Sequence, residues 1–195
     1  MLLSVGTGRL VPMQTGGSPS TQAHAVRPAE PADLPLLADI EDAADQLFTS
    51  VFGDVDWDPP SDGAERAAEP GILLVAGDPV VGFAHVLFLD GEAHLEQIAV
   101  HPSSMGQGIG TALLEAACLA AREAGFTEIS LTTFADVPWN APFYAARGFA
   151  VVEDLSPRHQ ALRAHEQAMG LDRHGPRVVM SRSLGGPAPP LAATS

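Results

Sequence analysis

"SMGQGIGTALLEAA", residues 104–117, joins three glycines at alternate positions to apolar residues with helical spacing. A glycine inside a helix costs ~1 kcal/mol relative to alanine, so the pattern predicts that Gly106, Gly108 and Gly110 precede the helix. Successive backbone N–H groups without side chains can converge on an anion at a helix N-terminus. The stretch therefore predicts an anion-binding backbone loop, with a plain tight turn as the alternative.

Two common nucleotide-binding motifs do not fit this loop. The phosphate loop of nucleotide hydrolases needs a Lys after its second glycine, and the chain contains no Lys. The dinucleotide motif has the spacing G-x-G-x-x-G, whereas this sequence has G-x-G-x-G. A loop for a different pyrophosphate is the remaining interpretation.

The composition limits the classes of partner. The net charge is −14, and all 10 basic residues are Arg, which disfavours a nucleic-acid partner. An acidic surface suits solubility and also attracts a cationic substrate such as an amine. The sequence has no apolar run of the ~18 residues that a membrane span needs and no evident secretory signal, so we expect a cytoplasmic protein without membrane partners. The single Cys118 lies in an apolar helical pattern and is expected to be a buried thiol.

The chain divides into three predicted parts: a flexible extension over residues 1–24, a domain over 25–184 and a flexible tail over 185–195. Within the domain, Asp33 is expected to cap a helix, and Gly77 to Pro79 is expected to form a hairpin turn. Hairpins come first and a strand–helix–strand unit follows. This order predicts a mixed sheet with helices on its faces.

Two stretches together resemble one protein family. "LEQIAVHPSSMGQGIGTALLEAA" (95–117) and "LTTFADVPWNAPFYAARGF" (131–149) look like the two signatures of the GNAT superfamily of N-acetyltransferases. The resemblance implies an α+β fold, with a mixed, mostly antiparallel sheet of six or seven strands and helices on both faces. It also implies acetyl-CoA as co-substrate, no metal, and a small-molecule or peptide amine as acceptor. A homodimer is consistent with the family.

The resemblance also implies which residues hold acetyl-CoA. The backbone at the strand end would pair with the pantetheine arm, and the loop would hold the pyrophosphate. Met105 departs from the family pattern, which has Arg or Gln there. The implied cofactor-binding residues are Ile98, Ala99, Val100, Met105, Gly106, Gln107, Gly108, Ile109, Gly110, Thr111, Asn140 and Phe143. Asn140 would also cap a short helix.

Acetyl transfer also needs an acid and a base. Tyr144, the only Tyr of the chain, matches the usual general acid of the family. Glu96 is the expected base, acting directly or through water, with His94 as the alternate and His85 as a lesser candidate. Strict strand alternation would place His94 and Glu96 on one face with Ile98 and Val100, and burial is expected to raise the pKa of Glu96.

The segment 154–176 is expected either to cover the acceptor site or to form a plain surface helix. Its His159 and His165 do not have zinc-helix spacing, so no metal is expected. The leading hypothesis is acetyl transfer from acetyl-CoA to a primary amine. The alternatives are a non-catalytic acyl-CoA sensor, a transferase of another acyl group, and a nucleotide-binding module.

Overall fold

The computed structural model describes residues 25–53, 57 and 59–186. The predicted extension 1–24 and most of the predicted tail lie outside these residues. Seven strands form one sheet in the order β1-β2-β3-β4-β5-β7-β6. The strands are β1 (Val26–Pro28), β2 (Gly71–Ala76), β3 (Gly82–Leu89), β4 (Glu92–Val100), β5 (Glu128–Phe134), β6 (Ala150–Val151) and β7 (Arg177–Ser183).

Six α-helices accompany the sheet in the described residues. They are α1 (Leu37–Asp45), α2 (Thr49–Phe52), α3 (Gly63–Ala68), α4 (Ile109–Glu123), α5 (Ala141–Ala145) and α6 (Pro157–Ala168). One core lies between the sheet and α4, and a second core lies on the opposite face under α1. The predicted α+β fold with helices on both faces is confirmed. No described helix is long and apolar enough to cross a membrane.

The apolar spacing after the glycines produces α4. Leu113, Ala117 and Ala121 recur at helical intervals and are fully buried against the sheet. The chain leaves the helix at Gly125, whose φ of 96° is left-handed and suits glycine. Cys118 is buried as predicted, and burial raises the pKa of its thiol to about 11.

Two local predictions near the start of the domain have different outcomes. The predicted hairpin is confirmed, because β2 ends at Ala76 and pairs with β3 in antiparallel register. The capping prediction for Asp33 is wrong, since its side chain makes no capping bond. Its carboxylate accepts hydrogen bonds from both Arg27 Nη atoms, at 2.6 and 2.9 Å, and from the Glu30 N–H at 2.8 Å. The Asp33 carboxylate is therefore engaged by Arg27 and does not cap the helix that follows.

Strands β4 and β5 form the one parallel pair, and they separate along their length. Pairing is confined to Ala93–Leu95 of β4 and Ile129–Leu131 of β5. Beyond that point β4 continues beside β3, and β5 continues beside β7. The gap between residues 96–100 and 132–134 is called the β4–β5 opening below. It leaves one edge of β4 without a strand partner, as the family resemblance implies.

A β-bulge at Glu96 overturns the predicted face of this strand. Leu95 pairs with Val86 and Gln97 pairs with His85, so Glu96 is an extra residue. Leu95, Ile98 and Val100 pack in the core under α4. His94 and Glu96 therefore lie on the other face, and strict alternation was the wrong assumption.

Candidate active site

The glycine loop adopts the backbone conformation that its sequence demands. Gly106 and Gly108 have φ values of 75° and 84°, which favour glycine, and no atom lies within 4 Å of a Cβ added to either. Gly108 is the N-cap of α4. Gly110 is the second residue of the helix, so the prediction that all three glycines precede it is wrong for Gly110. The N–H groups of the first turn have no partner within the helix and can bind an anion.

Helix α5 is tied to this first turn by an arginine that the sequence analysis missed. Arg147 donates two hydrogen bonds to Thr111 Oγ1, at 2.7 and 3.1 Å, and one to the Phe143 carbonyl at 2.8 Å. Its guanidinium lies 3.7 Å from the centre of the Phe143 ring. The i,i+4 spacing from Phe143 was the available clue. The contacts place a positive charge beside the glycine loop.

The remaining predicted cofactor residues border the same region or face solvent. A Cβ on Gly110 would lie 3.7 Å from Phe143 and 3.8 Å from Val100, so loop, strand end and α5 meet here. Ile109 is a core residue, whereas Gln107 is exposed and the Met105 side chain is 43% exposed. The loop therefore offers a ligand mainly backbone groups and few side chains.

The structure fits an anionic, extended ligand at this place. An unpaired helix turn, the open space above Gly106 and Gly108, and the nearby Arg147 suit a pyrophosphate. The unpaired edge of β4 suits an amide-bearing arm. These groups suit a ligand that carries both a negatively charged group and amides, as CoA does.

The Ile98 N–H is the backbone donor next to the bulge. It donates a 3.1 Å hydrogen bond to Gln97 Oε1. The amide nitrogen of Gln97 in turn donates to Glu41 Oε1 at 2.6 Å. The donor is therefore held by a side-chain oxygen that a ligand carbonyl can replace. Gln97 and Glu41 were not predicted as site residues because their contact joins residues 56 positions apart.

Tyr144 lies in the apolar core beside the loop. It is 8% exposed and packs edge-on against Phe143 and Phe149, with ring centres 5.2 and 5.8 Å away. Burial raises the pKa of its phenol well above the ordinary value, so the hydroxyl keeps its proton. Asn140 occupies the N-cap position of α5, but its side chain makes no capping bond, contrary to expectation.

Glu96 belongs to an ion-pair network that crosses from the sheet to α1 and α3. Arg66 donates from Nη1 to Glu96 and from Nη2 to Glu41, both at 2.7 Å. Burial raises the pKa of Glu96, but the nearby His85 ring and the charge of Arg66 outweigh it, and the net shift is downward. The expectation of a raised pKa is therefore wrong. Glu96 is 42% exposed, so its carboxylate stays within reach of solvent.

The two candidate histidines lie in different surroundings. His85 is 1% exposed, and its Nδ1 lies 3.5 Å from Glu96. Its Nε2 lies 3.7 Å from Glu69. His94 shares a 2.9 Å hydrogen bond with Ser130 where β4 and β5 are still paired. Burial, with Arg158 and His159 nearby, lowers the pKa of His94 to about 4. His94 therefore lies away from the β4–β5 opening.

Asp45 is a further titratable group that the sequence analysis missed. It lies one helical turn after Glu41 and is half-buried. Burial and the neighbouring carboxylates of Glu41 and Asp42 raise the pKa of Asp45 to about 7. The i,i+4 acidic pair in "EDAAD" was the available clue. Such a carboxylate can accept a proton near neutral pH.

Aromatic side chains cluster between the helix that follows Asp45 and the end of β5. Ring centres lie between 4.9 and 6.2 Å apart in this cluster. Its members are Phe48, Phe52, Trp57, Phe134, Trp139 and His174. The indole N–H groups of Trp57 and Trp139 are buried without a hydrogen-bond partner.

Helix α6 packs on the sheet through a buried carboxylate. Glu166 accepts a 2.7 Å hydrogen bond from Thr132 and forms ion pairs with Arg163 and Arg177. These partners outweigh the effect of burial and hold the pKa of Glu166 below its ordinary range. Helix α6 is thus attached to the sheet by Glu166 while most of its residues stay at the surface, and the influence of the segment 154–176 on the acceptor stays a prediction. No group of three His, Cys, Asp or Glu in the described part of the chain could hold a metal.

The chain matches one family model and is similar in fold to solved structures. A sequence model described as the acetyltransferase (GNAT) family matches residues 37–149, from α1 to the residue after the α5 turn. The ribosomal-protein-S18-alanine N-acetyltransferase of Escherichia coli is similar over 86% of this chain and 98% of its own, with a TM-score of 0.61 and 20% identity.

Two further structures are similar in fold. PaiA N-acetyltransferase of Thermoplasma acidophilum, in complex with coenzyme A, has a TM-score of 0.58 and 17% identity over 83% of this chain and 99% of its own. N-acetylglutamate synthase of Neisseria gonorrhoeae, complexed with coenzyme A and N-acetyl-glutamate, has a TM-score of 0.59 and 18% identity over 83% of this chain and 35% of its own. At these identities the likeness concerns the fold.

Proposed function

This chain belongs to the acetyltransferase (GNAT) family, and from that premise we propose that it transfers an acetyl group from acetyl-CoA to a primary amine by direct attack in a ternary complex. One observation carries the proposal. The end of β4, which borders the β4–β5 opening, lies beside the start of α4, where a Cβ on Gly110 would be 3.8 Å from Val100. The coenzyme A in the complexes of the Thermoplasma and Neisseria proteins supports the same donor here.

The chain would hold the donor mainly with backbone. The first-turn N–H groups of α4 and the loop Met105 to Gly108 would hold the pyrophosphate, with Arg147 adding charge. Residues Ile98 to Val100 would pair with the amide-bearing arm. Asn140 and Phe143 would border it. Bound there, acetyl-CoA supplies an activated acetyl group.

The Ile98 N–H is the proposed electrophilic donor. Its present partner, Gln97 Oε1, occupies the position of an acceptor oxygen at 3.1 Å. Exchange of that oxygen for an acyl carbonyl keeps the N–H satisfied and aims a preorganised dipole at developing negative charge. Gln97 stays anchored to Glu41 through its amide nitrogen.

Tyr144 is the proposed general acid. Its phenol retains a proton at neutral pH because burial disfavours the phenolate. Tyr144 packs beside Phe143, whose ring would lie 3.7 Å from a Cβ on Gly110 at the start of α4. It would protonate the leaving group.

Two carboxylates are proposed for deprotonation of the acceptor. Glu96 is ionised at neutral pH and half exposed, so it would attract an ammonium group and take its proton directly or through water. Asp45, with a pKa near 7, is better matched to proton transfer at neutral pH. The two assignments predict different pH profiles.

The acceptor is proposed to be a cationic amine. Glu41, Asp45 and Glu96 face this side of the sheet, and Arg66 is the cation that their network contains. The aromatic cluster adds flat surface on which an alkyl or aromatic portion of the amine can pack. A small molecule and a peptide N-terminus both meet this description.

The test combines binding with turnover on the full chain. Thermal stability is measured with acetyl-CoA, CoA, NAD and ATP, and thiol release is measured over a panel of amines. We expect stabilisation by the two CoA compounds and thiol release with cationic amines. Stabilisation by NAD or ATP alone would favour the nucleotide-binding module. Binding of acetyl-CoA without thiol release for any amine would favour the non-catalytic sensor.

A further inference from the structure

A second pocket lies at the end of β4 that is far from the β4–β5 opening. It has a volume of about 360 Å³, within the size range of small-molecule sites. The starts of β4 and β5 and the N-terminal turn of α6 enclose it. The lining side chains that matter here are Glu92, Glu128, Ser130, Asp154, Ser156 and His159. We call it the His159 pocket.

Two buried polar groups in this pocket lack partners. The His159 side chain is 7% exposed, and neither ring nitrogen has a hydrogen-bond partner. Glu92 Oε2 is also buried without a hydrogen bond and lies 3.7 Å from His159 Nε2. Buried polar atoms are almost always paired, because an unpaired one carries the full cost of desolvation. The Glu92 oxygen and one nitrogen of a neutral His159 ring can therefore accept hydrogen bonds from something that enters the pocket, and the other ring nitrogen can donate one.

The charge of the pocket indicates what that ligand is. Glu92, Glu128 and Asp154 contribute three carboxylates to the lining. Arg158 lies beside them, 3.4 Å from Asp90 and 3.9 Å from Glu92, and offsets part of this charge.

The neighbouring polar groups add no positive charge. His94, whose ring centre is 6.3 Å from that of His159, is neutral at physiological pH because its pKa is about 4. Ser130 already bonds to His94 and to the Ala93 carbonyl. The lining is therefore net negative and rich in hydrogen-bond acceptors.

We propose that the His159 pocket binds a small organic ammonium ion, with Glu92 and His159 accepting hydrogen bonds from its nitrogen. A cation with several N–H donors satisfies both unpaired groups at once. The carboxylates of Glu128 and Asp154, at the outer part of the lining, suit a second amino group. The site shares no residue with the proposed acetyl-transfer site, so each proposal can fail without the other.

The direct test follows the imidazole of His159 by NMR. Long-range ¹H–¹⁵N spectra of the full chain are recorded during titration with 1,4-diaminobutane, and His159→Gln assigns the signal. We expect a saturable movement of the His159 resonances. The uncharged 1,4-butanediol, which has the same length, is expected to cause none. The absence of saturable movement, or an equal effect of the diol, would overturn the proposal.

Variants locate the binding. Glu92→Gln should weaken the affinity about tenfold, and the exposed Asp154→Asn about threefold, through loss of charged hydrogen bonds and attraction. Asp45→Asn, on the proposed acceptor side, should leave this affinity unchanged. A cooperative thermal unfolding transition checks that each variant is folded. If Glu92→Gln does not fold, Asp154→Asn alone decides. Wild-type affinity in the folded variants of the pocket would contradict the assignment.

Discussion

Tyr144, the proposed general acid, keeps its proton at neutral pH and packs against Phe143. Tyr144→Phe removes the hydroxyl and keeps the ring that packs against Phe143 and Phe149. We expect turnover to fall about 10²-fold, the lower range for loss of a general acid, with the affinity for acetyl-CoA unchanged. Steady-state kinetics with a direct binding measurement checks this. Full turnover in the variant would exclude the acid role.

The pKa of Asp45 is raised and that of Glu96 is lowered, so the pH dependence of the rate distinguishes the two candidate bases. Asp45 ionises as pH rises through about 7, so an Asp45 base gives kcat/KM that increases there. Asp45→Asn should abolish this rise of kcat/KM with pH. Glu96 is already ionised throughout this range because its pKa is lowered, so Glu96→Gln should reduce the rate by one factor at every pH.

The control for this experiment is the same acceptor amine throughout, since its own titration then cancels between variants.

Folding stability gives an independent readout. The raised pKa of Asp45 means that its contribution to stability is present below about pH 4 and is lost as pH rises through 7. Asp45→Asn should therefore raise the melting temperature relative to wild type at pH 8 and less at pH 4. If kcat/KM of the Asp45→Asn variant still rises with pH near 7, a group other than Asp45 is responsible for that rise.

Helix α4 and its loop allow a matched pair of glycine substitutions. Gly108 has a left-handed φ of 84°, which costs an alanine roughly 1–2 kcal/mol, although nothing lies within 4 Å of the new Cβ. Gly110 is helical, and its Cβ would make ordinary contacts at 3.7 and 3.8 Å. We expect Gly108→Ala to destabilise the fold and weaken acetyl-CoA binding. Gly110→Ala should stabilise the fold by about 0.5–1 kcal/mol. Chemical denaturation and acetyl-CoA titration measure both. Equal effects of the two substitutions would contradict the geometry of the loop.

The elements themselves were largely predictable, because local periodicity determines them. The apolar spacing after residue 108 predicted α4, and the turn at Gly77 predicted the hairpin. The bulge at Glu96 was not predictable from alternation, since a register shift depends on the partner strand as well as on the sequence of β4. The consequence was a wrong face for the proposed base.

The contacts that tune the site join distant parts of the chain. Arg66 links Glu41 and Glu96, which are 25 and 30 positions away in sequence. Burial and partner together determine the pKa of each carboxylate, so a raised value was predicted for Glu96 where a lowered one exists. The sequence could predict the glycine loop and the short helix that carries Tyr144 because both motifs are local. It could not predict the proposed acceptor side, since Asp45 and the aromatic cluster have no local motif.

The charge of the whole molecule acts on the two proposed substrates in opposite directions. With a net charge of −14, the chain attracts a cationic amine and repels the polyanionic acetyl-CoA. Added salt screens both effects, since the Debye length falls from about 10 Å at 0.1 M to about 3 Å at 1 M. Between about 0.05 and 0.5 M NaCl, kcat/KM for a monocationic amine should fall several-fold while KM for acetyl-CoA decreases.

A zwitterionic amino acid serves as the matched acceptor for this comparison, because its carboxylate cancels the long-range attraction of its ammonium group. Its kcat/KM should vary much less with salt than that of the cationic amine. Steady-state kinetics over the same salt series measures all three quantities. If both acceptors respond equally, the acidic surface does not steer the acceptor, and specificity must come from short-range contacts in the β4–β5 opening and the aromatic cluster.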